Sequence, residues 1–373
     1  MTDQKLSIED VNRLLSDPSE QTRAQTAEKL ARQFQDTSLT DAERRMAEDI
    51  LRLMARDAVA RVRQALSENL KDNPLVPHDL AKTLANDIDE VAIPILEFSE
   101  VLTPEDLIEI VRSHDPSKQT AIAKRKVVQA VVADALVEDG AESAVTVLAG
   151  NAGAELTEDS MLRIVDRFGD SEAVQDELIK RDVLPITIAE KLVNQASESL
   201  RERLLERHPL SPEKAADLVL HSRERATIGL SAGSSEESVL RLVRQLRQNN
   251  RLTPSIIVRA ACMGDFIFIE CAMAELAGVP LENARILIHD SGDLGLTGIF
   301  ERAGLPDNIF PALKAAVAVF RQTSYDGLEN DRERFSRRMI ERVLTQYGDL
   351  GVEFESDDLE YLLGRMGQLP AVL

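Results

Sequence analysis

The sequence reads as an all-α protein, an α-solenoid of two-helix repeats with a helical cap at its C-terminal end. Among its 373 residues the first glycine is Gly140, and so long a glycine-free stretch leaves little room for hairpins or left-handed turns. A short leucine-led signature recurs at intervals near 27 residues. Alternating β-branched segments joined by Asn-Gly or Asp-Gly turns are missing, which removes the usual sign of a sheet.

The signature stands at Leu75-Val76-Pro77, Leu102-Thr103-Pro104, Leu156-Thr157-Glu158, Leu184-Pro185-Ile186, Leu210-Ser211-Pro212 and Leu252-Thr253-Pro254, with looser copies at Val279-Pro280 and Leu305-Pro306. Successive starts lie 27, 54, 28, 26, 42, 27 and 26 residues apart. Because 54 is two periods, a degenerate copy is expected between Leu102 and Leu156. Each start has the chemistry of a helix N-terminus. Thr or Ser accepts from the free amides, Pro sits in the first turn where its missing N–H costs nothing, and an acid follows. The leading Leu can staple onto the first turn.

A second helix is expected after each start. The segments from Ser171 (SEAVQDELIKR) and from Ser197 (SESLRERLLER) align with apolar residues at the same places, so two helices alternate in each unit. Such a pair cannot bury its apolar face alone, and neighbours must stack. Near the N-terminus the unit is longer, since the segment from Asp17 (DPSEQTRAQTAEKL) aligns with that from Asp57 (DAVARVRQALSENL) at an offset of 40, and Asp115 opens another copy.

The Asp at a turn followed by Thr22 and Arg23, or by Val62 and Arg63, resembles the HEAT repeat. That resemblance implies that the Asp caps and the Arg bridges neighbouring repeats. Together with the blocks Glu90–Val111 and Gly264–Ala284, these copies resemble an α-proteobacterial family of HEAT-like repeat proteins carried as a domain of unknown function. The resemblance covers most of the chain, brings no catalytic residues, and implies a bacterial cytosolic protein. The expected organisation is HEAT-like repeats over residues 1–150, shorter two-helix repeats over 151–323, and a helical cap over 324–373.

Composition excludes several function classes. The formal net charge is −21, Trp is absent and aromatic residues make up 3%, so phosphate attraction and base stacking are both poorly served and no nucleic acid is expected. A DNA-glycosylase-like solenoid is therefore only a remote alternative. No run of 18 apolar residues exists and MTDQKLSIED lacks a secretory profile, so no membrane is expected and the cytoplasm is the expected location. Cys262 and Cys271 match no metal or redox spacing and read as buried free thiols. No phosphate loop, nucleophile elbow or HExxH pair occurs. The expectation is a protein that is not an enzyme, with no catalytic residues, no metal and no cofactor.

Two places suggest binding. Arg241, Arg244, Arg247 and Arg251 are spaced by 3, 3 and 4, which puts them on one helix face opposite Leu242, Val243 and Leu246 and suits an acidic protein partner. A solvated face paired to local Glu is the plainer explanation. The second is an aromatic-rich region around Asp265, Phe266, Phe268, His289 and Asp290, where a small-ligand or nucleotide pocket is the alternative function. Within it, Asp293 is expected to cap a helix, with Gly292 allowing the bend. The nine acids between Asp87 and Asp115 read mainly as helix-start and turn residues. The leading expectation is a scaffold or regulator that binds another protein; the oligomeric state is not specified by the sequence.

Overall fold

The computed structural model describes residues 19–35, 39–207, 212–290, 292–322, 335 and 337–342, with a few single positions on either side. These residues are all-α. Among them no strand occurs, and the extended pairing consists of one isolated bridge between Val128 and Ala154. The chain divides into two compact units, residues 1–184 and 185–373.

In the first unit the helices are α1 (Glu20–Phe34), α2 (Asp41–Met54), α3 (Ala60–Leu70), α4 (His78–Ala85), α5 (Asp89–Phe98), α6 (Pro104–Val111), α7 (Pro116–Ala123), α8 (Ala130–Asp139), α9 (Glu142–Gly150), α10 (Glu158–Phe168) and α11 (Glu172–Ile179). They stack as alternating rows: α1, α3, α5, α7, α9 and α11 pack in succession, and α6, α8 and α10 form a second row beside them. This is the stacking of an α-solenoid. Its cohesion comes from small and branched side chains sealed between successive helices, including Leu66, Leu70, Val91, Leu96, Ile122, Leu136 and Leu148.

The capping chemistry read from the sequence operates at the Thr starts. Thr103 and Asp106 form a reciprocal capping box with Pro104 first in the helix, and Thr157 accepts from the Ser160 amide. The missing copy is Val128-Gln129-Ala130, where Gln129 makes no side-chain cap and the Ala130 amide donates instead to the Glu155 carboxylate at 3.1 Å. At Pro77 the proline is not inside the first turn but is the flanking residue itself, with ψ 137°. Its fixed φ suits that extended position as well as the helical one.

Lateral ties join each helix to its row neighbour. Asp57 and Asp87 each brace a turn, accepting from the Val59 and Ile88 amides, and receive Arg23 from α1 and Arg63 from α3, the preceding helices of the same row. Farther along, arginines at helix ends donate to the last carbonyls of the helix two back. Arg125 reaches Leu96 and Ser99 at 2.6 and 2.7 Å, Arg167 reaches Val137 and Gly140, and Arg181 reaches Ala149 and Asn151 at 2.9 and 3.1 Å. A guanidinium there satisfies orphan carbonyls and meets the negative end of the helix dipole.

The second unit contains α12 (Ile186–Arg207), α13 (Pro212–Ser231), α14 (Glu236–Gln248), α15 (Pro254–Met263), α16 (Phe266–Ala277), α17 (Leu281–His289), α18 (Asp293–Ala303), a short 3-10 turn at Asp307–Ile309, and α19 (Phe310–Gln322). Here the sequence reading needs a correction, because no second helix begins at Ser197. Residues 186–207 form one helix, and the Ser197 hydroxyl donates to the Val193 carbonyl four residues back at 2.7 Å. With neither Gly nor Pro between Ala189 and Arg207, nothing breaks the helix there. The arginine tie reappears where Arg302 donates to the Ala277 carbonyl and Arg321 to those of Ile288 and Asp290.

Most of the expected cap, residues 324–373, lies outside the described residues. Of it, Phe335, Met339 and Ile340 are buried in the core formed by α14 to α19. Gly264, at φ +73°, lets them approach. A Cβ there would stand 3.1 Å from Met339 Cγ and 3.2 Å from Phe335 Cε1.

Candidate functional site

Helix α14 forms because Ser235 caps it, Glu236 and Glu237 occupy its positive end, and Val239, Leu242, Val243 and Leu246 make a buried stripe. Arg241, Arg244 and Arg247 are therefore held on the outer face, about half exposed. Each has a carboxylate. Arg241 pairs with Glu237 at 2.7 Å, while Arg244 and Arg247 share Glu275 of α16 at 2.6 and 3.4 Å. Arg251 is not part of this face. The helix ends at Gln248, Asn250 turns the chain at φ +55°, and the Arg251 amide closes back onto the Leu246 carbonyl. Its side chain points inward to Glu190, which is fully buried and also accepts from Gln245 at 2.9 Å. Burial lowers the Arg251 pKa from its ordinary value, against the pull of Glu190.

The aromatic region separates into two groups. Asp265 caps α16, accepting from the Phe268 amide at 3.2 Å and from the Ser231 hydroxyl, and Phe268 is wholly enclosed in the core. Phe266 and His289 do come together. Their ring centres lie 6.0 Å apart, and Phe320 sits 3.9 Å from Phe266 and 5.2 Å from His289. The three rings fill one another's space. Asp290 closes α17, and its carbonyl is taken by Arg321. Gly292, in ordinary extended backbone at φ −92°, is the flanking residue of α18, so Asp293 is the first helical residue and not the cap.

The structure adds residues that the sequence reading missed. Glu270, nearly buried on α16, accepts from His289 Nε2 and Arg285 Nε, both at 2.7 Å, and Arg285 also pairs with Glu236 and Glu282. Burial pushes the Glu270 carboxyl up, but the His289 and Arg285 partners outweigh it and leave the group below its usual range. An acid between Ile269 and Cys271, in the most apolar part of the run FIFIECAMAELA, was the available signal, because a buried charge requires a partner. A second buried pair joins Glu224 and Arg259, and Glu224 also accepts from Thr253 at 2.5 Å and Ser255 at 2.7 Å.

Cys262 and Cys271 are buried and in no disulfide among the described residues, and burial pushes the Cys271 thiol up to about 12. Among the described residues no group of three or more His, Cys, Asp or Glu is placed to hold a metal, and no helix is long and apolar enough to cross a membrane. In the first unit two open grooves lie along the stack. One of about 340 Å³ is lined by α5 and α7 around Glu97 and Lys124, and one of about 240 Å³ runs between α6 and α8 above Arg125.

Stacked helix pairs with charged lateral ties, and exposed arginines on one helix face, define the class: an all-helical repeat protein. The chain belongs to the family described as "Uncharacterised protein conserved in bacteria (DUF2336)", whose model matches residues 91–353. No curated protein and no solved structure matches it.

Proposed function

We propose that this chain is a non-enzymatic, HEAT-like helical-repeat protein that holds another protein, as a scaffold or regulator, and that Arg241, Arg244 and Arg247 on α14 contact an acidic segment of that partner. The supporting observation is the sharing of Glu275 between Arg244 and Arg247. Two cations on one carboxylate leave net positive charge on an exposed face of a chain whose overall charge is −21. An acidic partner strand or helix can exchange with that carboxylate at little cost, because exposed pairs are weak. The alternative of a small-ligand sensor near Phe266 and His289 is less well supported, since the rings of Phe266, His289 and Phe320 already occupy the space between them.

The test is affinity purification of the wild type and of Arg244→Glu plus Arg247→Glu from a native extract, quantified by mass spectrometry. A partner recovered by the wild type and lost by the double variant supports the reading. Equal recovery of every partner by both proteins refutes the α14 face.

A further inference from the structure

Arg244 and Arg247 converge on a single group. Arg244 Nε lies 2.6 Å from one oxygen of Glu275, and Arg247 Nη1 lies 3.4 Å from the other. Neither arginine has a second carboxylate among the described residues. The acids of α14 itself, Glu236 and Glu237, are held by Arg285 and Arg241. They precede Arg244 by about two turns, roughly 10 Å along the axis, where salt screens their charge. The seat between the two guanidiniums therefore holds two positive charges and one negative.

Glu275 decides what can take that seat. It is tethered on α16, so it meets the guanidiniums at the high effective concentration of an intramolecular group. A single partner carboxylate in its place makes the same two contacts, carries the same charge and bears the added cost of association. It gains nothing by the exchange. A phosphomonoester carries a charge of about −1.5 to −2 at pH 7 and has three acceptor oxygens. It neutralises both arginines and still offers an oxygen to each, the charge-assisted pairing that guanidinium suits. A phosphodiester has one charge, so the same competitor disfavours nucleic acid.

We propose that Arg244 and Arg247 receive a phosphorylated side chain of the partner protein, and that Glu275 is the built-in competitor that a single carboxylate does not displace. This inference rests on the partner-binding reading and names the chemical group that α14 recognises. A membrane with phosphate headgroups is a poor match, because two arginines would have to hold a chain of net charge −21 against an anionic surface.

The test uses the immobilised full chain and a native extract, half of it treated with phosphatase before capture. A partner held by the wild type and lost from Arg244→Glu plus Arg247→Glu is expected to fall at least about tenfold in recovery after that treatment. Phenyl phosphate added during capture is expected to halve recovery at a concentration at least about tenfold below that of benzoate, at equal ionic strength and about pH 8. Glu275→Gln is expected to lower both concentrations at least about threefold with the melting temperature unchanged, because the competitor is gone. Three results overturn the proposal: recovery unaffected by phosphatase, benzoate as effective as phenyl phosphate, or both concentrations unchanged in Glu275→Gln. Vesicles containing phosphatidate that capture the wild type but not the double variant, with no phosphatase-sensitive protein recovered, overturn it as well, since the phosphate is then a lipid's. If the double variant loses a partner that phosphatase leaves in place, the α14 reading stands and this inference fails. If both proteins hold every partner equally, the α14 reading itself fails.

Discussion

Arg63 grips Asp87 in a two-pronged ion pair, Nε to Oδ2 at 2.5 Å and Nη2 to Oδ1 at 2.8 Å, across 24 residues of sequence. The pair ties α3 to the turn that starts α5, and Arg23 makes the same tie to Asp57 one unit earlier. Both partners of the Arg63 pair are mostly sheltered, so removing one leaves the other charge poorly solvated. Arg63→Ala is expected to cost about 2–3 kcal/mol in urea unfolding, and a double-mutant cycle with Asp87→Ala to show coupling of about 1 kcal/mol or more. Coupling indistinguishable from zero contradicts the tie.

Acid should loosen the first unit through its paired carboxylates. Burial pushes the Asp106 carboxyl up, but His78 at 2.6 Å, Lys82 at 2.9 Å and the Thr103 cap pull harder and hold it well below the usual carboxylate range. Asp57, Asp79 and Asp87 are lowered as well. A carboxyl whose folded pKa lies below its unfolded one adds stability that is complete above the unfolded value, about pH 4, and is lost as pH falls through the folded one. The urea midpoint should therefore drop steeply below about pH 4, and Asp106→Asn should flatten that limb while lowering the plateau. An unchanged slope in the variant contradicts the assignment.

The Cys271 thiol, fully enclosed and pushed up to about 12, should resist alkylation at neutral and mildly basic pH. Mass spectrometry after iodoacetamide treatment should find it unlabelled in the folded protein and labelled at the free-thiol rate in urea. Rapid labelling without denaturant contradicts the burial.

Gly264 permits both a left-handed backbone and the close approach of Phe335 and Met339. Gly264→Ala is expected to cost about 1–3 kcal/mol, and Met339→Ala in the same chain to recover part of that loss by opening space. Thermal unfolding of the four proteins measures this; strict additivity means that the two residues do not touch.

What the sequence made legible was local. Thr103 and Asp106, or Thr157 and Ser160, are three residues apart and carry their cap in that spacing. The glycine-free stretch before Gly140 was also informative, and among its described residues only His114, at φ +58°, is left-handed. What stayed hidden depends on the fold. Arg125, Arg167 and Arg181 look like ordinary surface bases until a helix C-terminus is placed beside each one. The fusion of two expected helices through Ser197 turns on a hydroxyl that can either cap a helix or bond backward, and the Ser starts at 171 and 197 look alike in sequence. Glu190, Glu224 and Glu270 find Arg251, Arg259 and Arg285 between 15 and 61 residues away. In the arginine face, Arg251 left the pattern because Asn249 and Asn250 end the helix before it.

On the proposed function, the exposed cationic face of α14 captures another protein and the chain performs no chemistry. Quantitative affinity purification with the wild type and with Arg244→Glu plus Arg247→Glu, matched in melting temperature, tests it most directly. The account predicts one or more acidic partners bound by the first and lost from the second. Partners held equally by both, or none held while a nucleotide raises the melting temperature, contradicts it.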